Sequence, residues 1–574
     1  MLRVDGQVHT QREVTAGSAG TPASTVSPAL TRRTCAALWL GLALMWFAPL
    51  NTPHLFEPDE GRYAEIPREM VASGDWVTPR LDAIKYFEKP ALGYWATALA
   101  YETFGQHPWT VRLWPALSGF LGLMLTFALG RRLYDQRTAL LAVLVQASAL
   151  LYVAMARIAT LDMSLSFGLQ IAMTALVLLV RPAPRQQSGS WRLPLLLGVG
   201  VALAVMSKGL VGILIPGAVA VLFMLLHRDW RLALRAQPWW TVGALLLLAA
   251  PWFALVSARN PEFAHFFFIF QHFQRYLNRA DFDRYQPVWF FLPVLALGFL
   301  PWTTLLPLAV RRAYRAAHSG ERESSLLLIW AAFVLLFFSL SQSKLVPYIL
   351  PMLPALSLLT GRAIAQLPAA RFAAHLRALA AAAAAFAAVL LLLWRAPPMA
   401  ALVARASTLS IVGFVIAFAL LALGAGCGAL LCRRGAVLGA AAATAAGGLL
   451  LAQSALLAAD QLPRMRAIVD LTQQLRPWVS AATRMYCVNG YLQPIPFYLQ
   501  HTCTLVGYRG ELDFGLQQEP WRAIADVARF EPEWQQQSDA LAILRPEDYQ
   551  QLEALGAPMR VIYTAPSYVA VLRR

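Results

Sequence analysis

Long apolar runs separated by short polar connections dominate the chain. Stretches able to cross a hydrocarbon core of roughly 30 Å fall near residues 34–51, 113–130, 138–157, 163–180, 193–206, 210–226, 239–257, 287–309, 325–341, 345–361, 377–394, 409–431 and 435–458. About thirteen membrane spans are predicted, the shorter ones at the limit of the required length. Two longer polar connections, 52–112 and 258–286, interrupt the series. After residue 460 the character changes. RMYCVNGY, HTCTLVGY, LAILR and RVIYTAPSYVAVLRR read as short strands, with helical stretches near 464–476 and 519–529, so 461–574 is predicted to be a small α/β domain outside the cytoplasm. Residues 1–33 are polar and read as a disordered cytoplasmic tail rather than a cleaved signal peptide. The Ala-rich stretches 372–390 and 436–458 read as closely packed membrane helices.

Composition sharpens this picture. Hydrophobic residues make up 58% of the chain and charged residues 14%, with a mean hydropathy of +0.52, values that exclude an ordinary soluble domain. The net charge of +17 does not indicate nucleic acid, because the excess lies in short blocks between apolar runs and not in a stripe on one face. Those blocks (Arg131/Arg132/Arg137, Arg181/Arg185/Arg192, Arg228/Arg231/Arg235, Arg311/Arg312/Arg315, Arg362/Arg371/Arg377, Arg433/Arg434) follow alternate spans and mark cytoplasmic loops. With an odd number of spans, 52–112, 258–286, the turns at Asp162, Lys208 and Lys344, and the carboxyl terminus share the opposite side. Cys35, Cys427 and Cys432 fall in spans as packing residues. Cys487 and Cys503 sit in two predicted strands, where a disulfide and a pair of buried thiols are both open.

Candidate chemistry concentrates outside the spans. Glu57, Asp59, Glu60 and Arg62 follow the first apolar run, and a charge left unpaired in hydrocarbon is costly; this group reads as a substrate site or as the acidic first turn of a helix. Asp162, after Arg157, faces the same compartment and reads either as its partner or as a helix cap. Lys85, Tyr86, Glu88 and Lys89, before Pro90, suit a phosphate, against simple snorkelling. The 259–286 loop mixes Phe with His265, His272, Arg275, Arg279, Asp281, Asp283 and Arg284 and suits an interfacial helix. His265 and His272 share a face of an α-helix, where either could join Glu88 or Asp59 on a metal. Lys344, with Tyr348, Pro351 and Pro354, gives a cationic broken helix end. No Walker loop or strand-linked G-x-G-x-x-G is present, so no nucleotide cofactor is expected.

The run PDEGRYAEIPREMVASGDWVTPRL followed by YFEKPALGYW, with Arg157 and Asp162, QHFQRY and SKLVPYILP, resembles the GT-C class of polyprenyl-phosphate-dependent glycosyltransferases. The resemblance is strongest to the bacterial lipid A 4-amino-4-deoxy-L-arabinose transferases and covers about residues 40–360. It implies a polytopic α-helical fold, with residues 34–460 forming the GT-C catalytic domain in the bacterial inner membrane. The implied donor is an undecaprenyl-phosphate-linked aminosugar and the acceptor lipid A. It also implies that Asp59 and Asp162 are catalytic and that Arg62, Tyr63, Lys85, Tyr86, Lys89, Arg275, Lys344 and Tyr348 bind substrates. Glu88 and His265 are left as ligands for a divalent metal. Two rivals stand beside it: a polyprenyl-phosphate-sugar transferase acting on protein or another glycan, and a lipid-linked sugar transporter. Against transport, no internal repeat is evident and the charges cluster at the surface, not near mid-membrane.

Overall fold

The computed structural model describes residues 32–181, 190–274, 285–394 and 407–573. The chain divides into two units, Met1–Leu42 and Ala43–Arg574. Most of the helix Arg32–Phe47 belongs to the first, and everything below belongs to the second.

Every predicted apolar run is helical, but not every one is a full straight span. Among the described residues eight helices are long and apolar enough to cross a membrane, and two bent pairs raise the number to ten. Pro238–Leu248 meets Ala250–Arg259 at 40°, and Phe291–Gly298 meets Thr303–His318 at 111°. The run 138–157 breaks at Ala149, whose backbone is extended. The protein is a multi-pass membrane protein.

A short hairpin of β1 Arg80–Leu81 and β2 Ile84–Lys85 lies in the 52–112 connection, and beyond the last of these helices lies a six-stranded sheet in the order β5-β4-β3-β6-β8-β7. Its strands are β3 Arg484–Val488, β4 Thr504–Val506, β5 Ala523–Ile524, β6 Ala540–Leu544, β7 Arg560–Thr564 and β8 Val569–Arg573. Strands β5, β4, β3 and β6 run parallel, while β8 and β7 pair antiparallel at one edge. Helix Pro463–Leu475 lies where the sequence places it. The stretch 519–529 differs: it holds a short 3-10 turn and strand β5, and its helix starts only at Val527, where Asp526 accepts a hydrogen bond from Arg529 N at 2.8 Å as an N-cap.

Strand alternation gives this sheet two buried faces. Tyr486, Val488, Ala542, Leu544, Val569 and Val571 pack under Phe530 and Trp534. The alternate residues, Met485, Cys487, Leu541, Ile543 and Leu572, share one apolar core with Ile66, Met70, Leu81, Ile84, Tyr86 and Tyr94 of the 52–112 connection. The carboxyl-terminal domain is thus seated directly on the segment that carries the densest charge. A disulfide joins Cys487 to Cys503.

Candidate active site

Two helices begin with the two aspartates singled out in the sequence. Asp59 opens the helix Asp59–Ser73 and Asp162 opens Asp162–Leu179, and a helix amino terminus favours a carboxylate. What holds these ends together is Glu60. Its carboxylate is fully buried, receives Arg112 Nε and Nη2 at 2.8 and 2.7 Å, and also accepts from Phe56 N at 3.0 Å and Ala159 N at 2.8 Å. One side chain therefore ties the turn before Asp59 to the turn before Asp162. Glu60 belongs to the scaffold beneath the site and does not face it.

Arg62 extends from the first helix toward Asp59, with Nη1 to Oδ1 at 3.1 Å, and forms a second ion pair with Glu511 of the carboxyl-terminal domain. Its guanidinium carbon lies 5.8 Å from the centroid of Tyr63 and 6.0 Å from that of Tyr86, distances at which a cation is held by a ring face. Tyr63 in turn stacks on Tyr94, with centroids 6.1 Å apart. Glu511 accepts from Gln493 Nε2 at 2.8 Å, and burial raises its pKa against the opposing pull of Arg62. Burial also raises the Tyr63 phenol, with Arg62 opposing the shift and Asp59, Asp162 and Glu88 adding to it. The hydroxyls of Tyr86 and Tyr94 are buried with no hydrogen-bond partner among the described residues, an arrangement that favours a polar ligand.

Asp162 pairs with Lys208 at 2.5 Å, and the Lys208 ammonium sits 4.8 Å from the centre of the Tyr348 ring. Asp59, Arg62, Tyr63 and Tyr86 thereby form one set of contacts and Asp162, Lys208 and Tyr348 another, and Glu60 ties the two helix starts together. Lys85 is engaged elsewhere, with Glu262 at 2.7 Å. Lys89 lies beside Glu88, donating to its carbonyl at 3.0 Å, with the carboxylate at 3.8 Å. Lys344 donates to the carbonyls of Gln286, at 2.7 Å, and Ser341. Arg275 lies outside the described residues, as do Arg279, Asp281, Asp283 and Arg284.

His265 is exposed and begins a π-helix, His265–Gln274. The looser i→i+5 winding means that a seven-residue spacing does not mark one face here as it does in an α-helix. Among the described residues no three or more His, Cys, Asp or Glu side chains gather as metal ligands.

Two participants were not assigned from sequence. Lys208 stood out as a charge at an outer turn, and its isolation at the end of an apolar helix was the available signal. Glu511 carried none, since ELDF in a soluble domain resembles any polar surface turn.

The family model described as aminoarabinose transferase C-terminal domain matches residues 471–573, and that of dolichyl-phosphate-mannose-protein mannosyltransferase matches 33–267. An undecaprenyl phosphate-alpha-4-amino-4-deoxy-L-arabinose arabinosyl transferase of Pseudomonas aeruginosa is 37% identical over 58% of this chain, and one of Sodalis glossinidius is 40% identical over 56%. These matches span only 60% and 58% of the relatives' own lengths. The crystal structure of ArnT from Cupriavidus metallidurans bound to undecaprenyl phosphate superposes with a TM-score of 0.87 at 34% identity, covering 95% of this chain and 99% of that one. The apo form of the same protein gives 0.86 at 35% identity, with 94% and 98% covered. Apolar helices and this relationship together make the chain a multi-pass inner-membrane protein. Matched to a solved member over nearly the full length of both, the chain belongs to the ArnT family of GT-C aminoarabinose transferases.

Proposed function

We propose that the protein is a glycosyltransferase that moves 4-amino-4-deoxy-L-arabinose from undecaprenyl phosphate to a phosphate of lipid A, lowering the negative charge of lipid A and so its binding of polymyxin. The observation that carries this reading is the alternation of carboxylates and cations at two adjoining helix ends, Asp59 with Arg62 and Asp162 with Lys208, in a chain of this family. The arginine blocks support a cytoplasmic amino terminus, with the site and the carboxyl-terminal domain in the periplasm.

A phosphate monoester has a second pKa near 6, so the acceptor oxygen is already a nucleophile at neutral pH. It forms the new bond to the anomeric carbon as the bond from that carbon to the carrier phosphate breaks, and undecaprenyl phosphate departs with the electron pair. No general base is required. The work left to the protein is charge placement: Arg62, Lys89 and Lys208 stabilise phosphate charge, Asp59 and Asp162 hold the cationic sugar amine, and Tyr63, Tyr86 and Tyr348 line the sugar. No step is routed through a metal.

The mannosyltransferase match over 33–267 favours one second reading, transfer to a protein hydroxyl, where Asp59 would have to remove a proton. Mass spectrometry of lipid A from cells with and without the gene, beside an Asp59→Asn variant, separates the two. A pentosamine-sized increment should appear with the wild type only. Asp59→Asn should lower turnover by about 100-fold or more while the carrier lipid, undecaprenyl phosphate, still binds, a result that also separates enzyme from carrier. Unmodified lipid A in the presence of active wild-type protein would overturn the substrate assignment, and near-normal turnover by Asp59→Asn would overturn the site.

A further inference from the structure

A second cationic site lies far from the first. The helix Leu306–His318 follows the sharp 111° bend and carries Arg311, Arg312, Arg315 and His318 with no acidic residue. It packs along the helix Leu353–Ala365, and between the two is a cavity of about 430 Å³. Alanines 309, 313 and 363 form part of its floor, and Arg312, Arg315 and Arg362 line it. Small residues at this helix crossing create the space, and guanidinium groups border it.

The charges in this cavity are not equivalent. Arg362 is neutralised by Glu321, with contacts at 2.5 and 2.7 Å. Arg312 donates to the Ala363 carbonyl at 2.9 Å, which satisfies a donor without cancelling its charge. Arg315 is exposed and forms no ion pair or side-chain hydrogen bond among the described residues. Beside this basic edge the same helix exposes Val310 and Tyr314, at 41% and 58%. Spacing of four places these two in one stripe with Leu306. Two uncompensated guanidiniums over a cavity, flanked by an apolar stripe, match a phosphodiester with acyl chains attached.

We propose that this cavity binds the headgroup of an anionic phospholipid, its phosphate held by Arg312 and Arg315 and its chains lying along Val310 and Tyr314. Tyr348, at the candidate active site, and Arg362 lie fourteen residues apart on one continuous span, Val346–Ala365 and its helical turns. At 1.5 Å per residue that is roughly 20 Å. The lipid site is therefore at the opposite end of the span from the chemistry and independent of the substrates assigned there.

The test is native mass spectrometry of the full-length protein in detergent, titrated with phosphatidylglycerol or phosphatidylethanolamine of the same chains. Wild type should prefer phosphatidylglycerol by about tenfold or more, each basic residue near a membrane surface contributing about fivefold. Arg315→Gln should lose about fivefold of this preference, and Arg312→Gln/Arg315→Gln most of it. Arg315 has no partner to lose, so its variant stays informative if the Arg312 change loosens the helix. Arg371→Gln, at an exposed arginine outside the cavity, should bind as wild type. Equal affinity for the two lipids, or equal loss in Arg371→Gln, would overturn the site. Inorganic phosphate that binds as tightly as phosphatidylglycerol and displaces it at equal concentration would overturn the assignment to a lipid.

Discussion

Arg62 and Glu511 form an ion pair that joins the first extramembrane helix to the carboxyl-terminal domain, with side chains only 10% and 13% exposed. Removing Glu511 leaves the buried Arg62 guanidinium with only the half-exposed Asp59 as its partner, at a cost of about 1–3 kcal/mol. Glu511→Gln is therefore expected to destabilise the protein by about that amount. Arg62→Gln/Glu511→Gln should recover most of the stability but not the transfer activity, because the guanidinium proposed to stabilise phosphate charge is gone. Thermal unfolding in detergent beside a transfer assay reads both. A double variant as unstable as the single one would show that the pair does not carry the effect.

Gly61 is the contact point of the same junction. A methyl group there would run into the backbone of Gln493 and Pro494, which cannot yield as a side chain can. Gly61→Ala should cost about 1–3 kcal/mol and reduce transfer by displacing Arg62 and Asp59 on either side of it. Limited proteolysis would show the carboxyl-terminal domain cleaved faster than in the wild type. Unchanged cleavage and activity would mean that the junction tolerates a shift of its backbone.

How far the site was legible depends on the range of its interactions. Asp59 and Asp162 stand out because each follows an apolar run and opens a helix, a local signal. Glu60 carries the same signal but faces inward, and only its pairing with Arg112, 52 residues away, reveals it as scaffold. Glu511 and Lys208 acquire meaning only through tertiary partners. The apolar runs were legible because hydropathy is a local signal, while breaks such as Ala149 and the bend before Thr303 belong to backbone geometry that hydropathy does not register.

The Glu60 and Arg112 pair is 0% exposed on both sides. Glu60 also satisfies backbone donors on two different turns, so Glu60→Ala should cost about 3–5 kcal/mol and separate Asp59 from Asp162. Glu60→Gln keeps the shape but has one acceptor oxygen where Glu60 uses two, so it loses either the Arg112 Nε and Ala159 N contacts or the Arg112 Nη2 and Phe56 N contacts. It is expected to lower kcat more than donor affinity. Comparing kcat with donor Kd in Glu60→Gln checks this: loss of donor binding alone would place Glu60 in substrate contact instead.

Asp82 supplies a pH dependence of defined sign. In the hairpin joining β1 Arg80–Leu81 to β2 Ile84–Lys85, Asp82 and Ala83 both have positive φ, and their amides donate to Glu69 at 2.5 and 2.8 Å. The Asp82 side chain accepts from Cys503 N at 2.7 Å through one oxygen, and its other oxygen is buried without a partner. Burial raises its pKa well above the ordinary value, with Glu65 adding to the effect and the Cys503 amide and Arg68 opposing it. The folded state therefore keeps the Asp82 proton to a higher pH than the unfolded chain does. The stability this gives is complete below about pH 4 and is lost as the pH rises through the folded-state value. Asp82→Asn carries no such proton and can still accept from Cys503. Its stability should exceed that of the wild type at pH 8 by about 1–3 kcal/mol, with the difference shrinking toward pH 4. Unfolding of the two proteins at both pH values decides it, and parallel pH profiles would show that Asp82 is ionised in the folded protein.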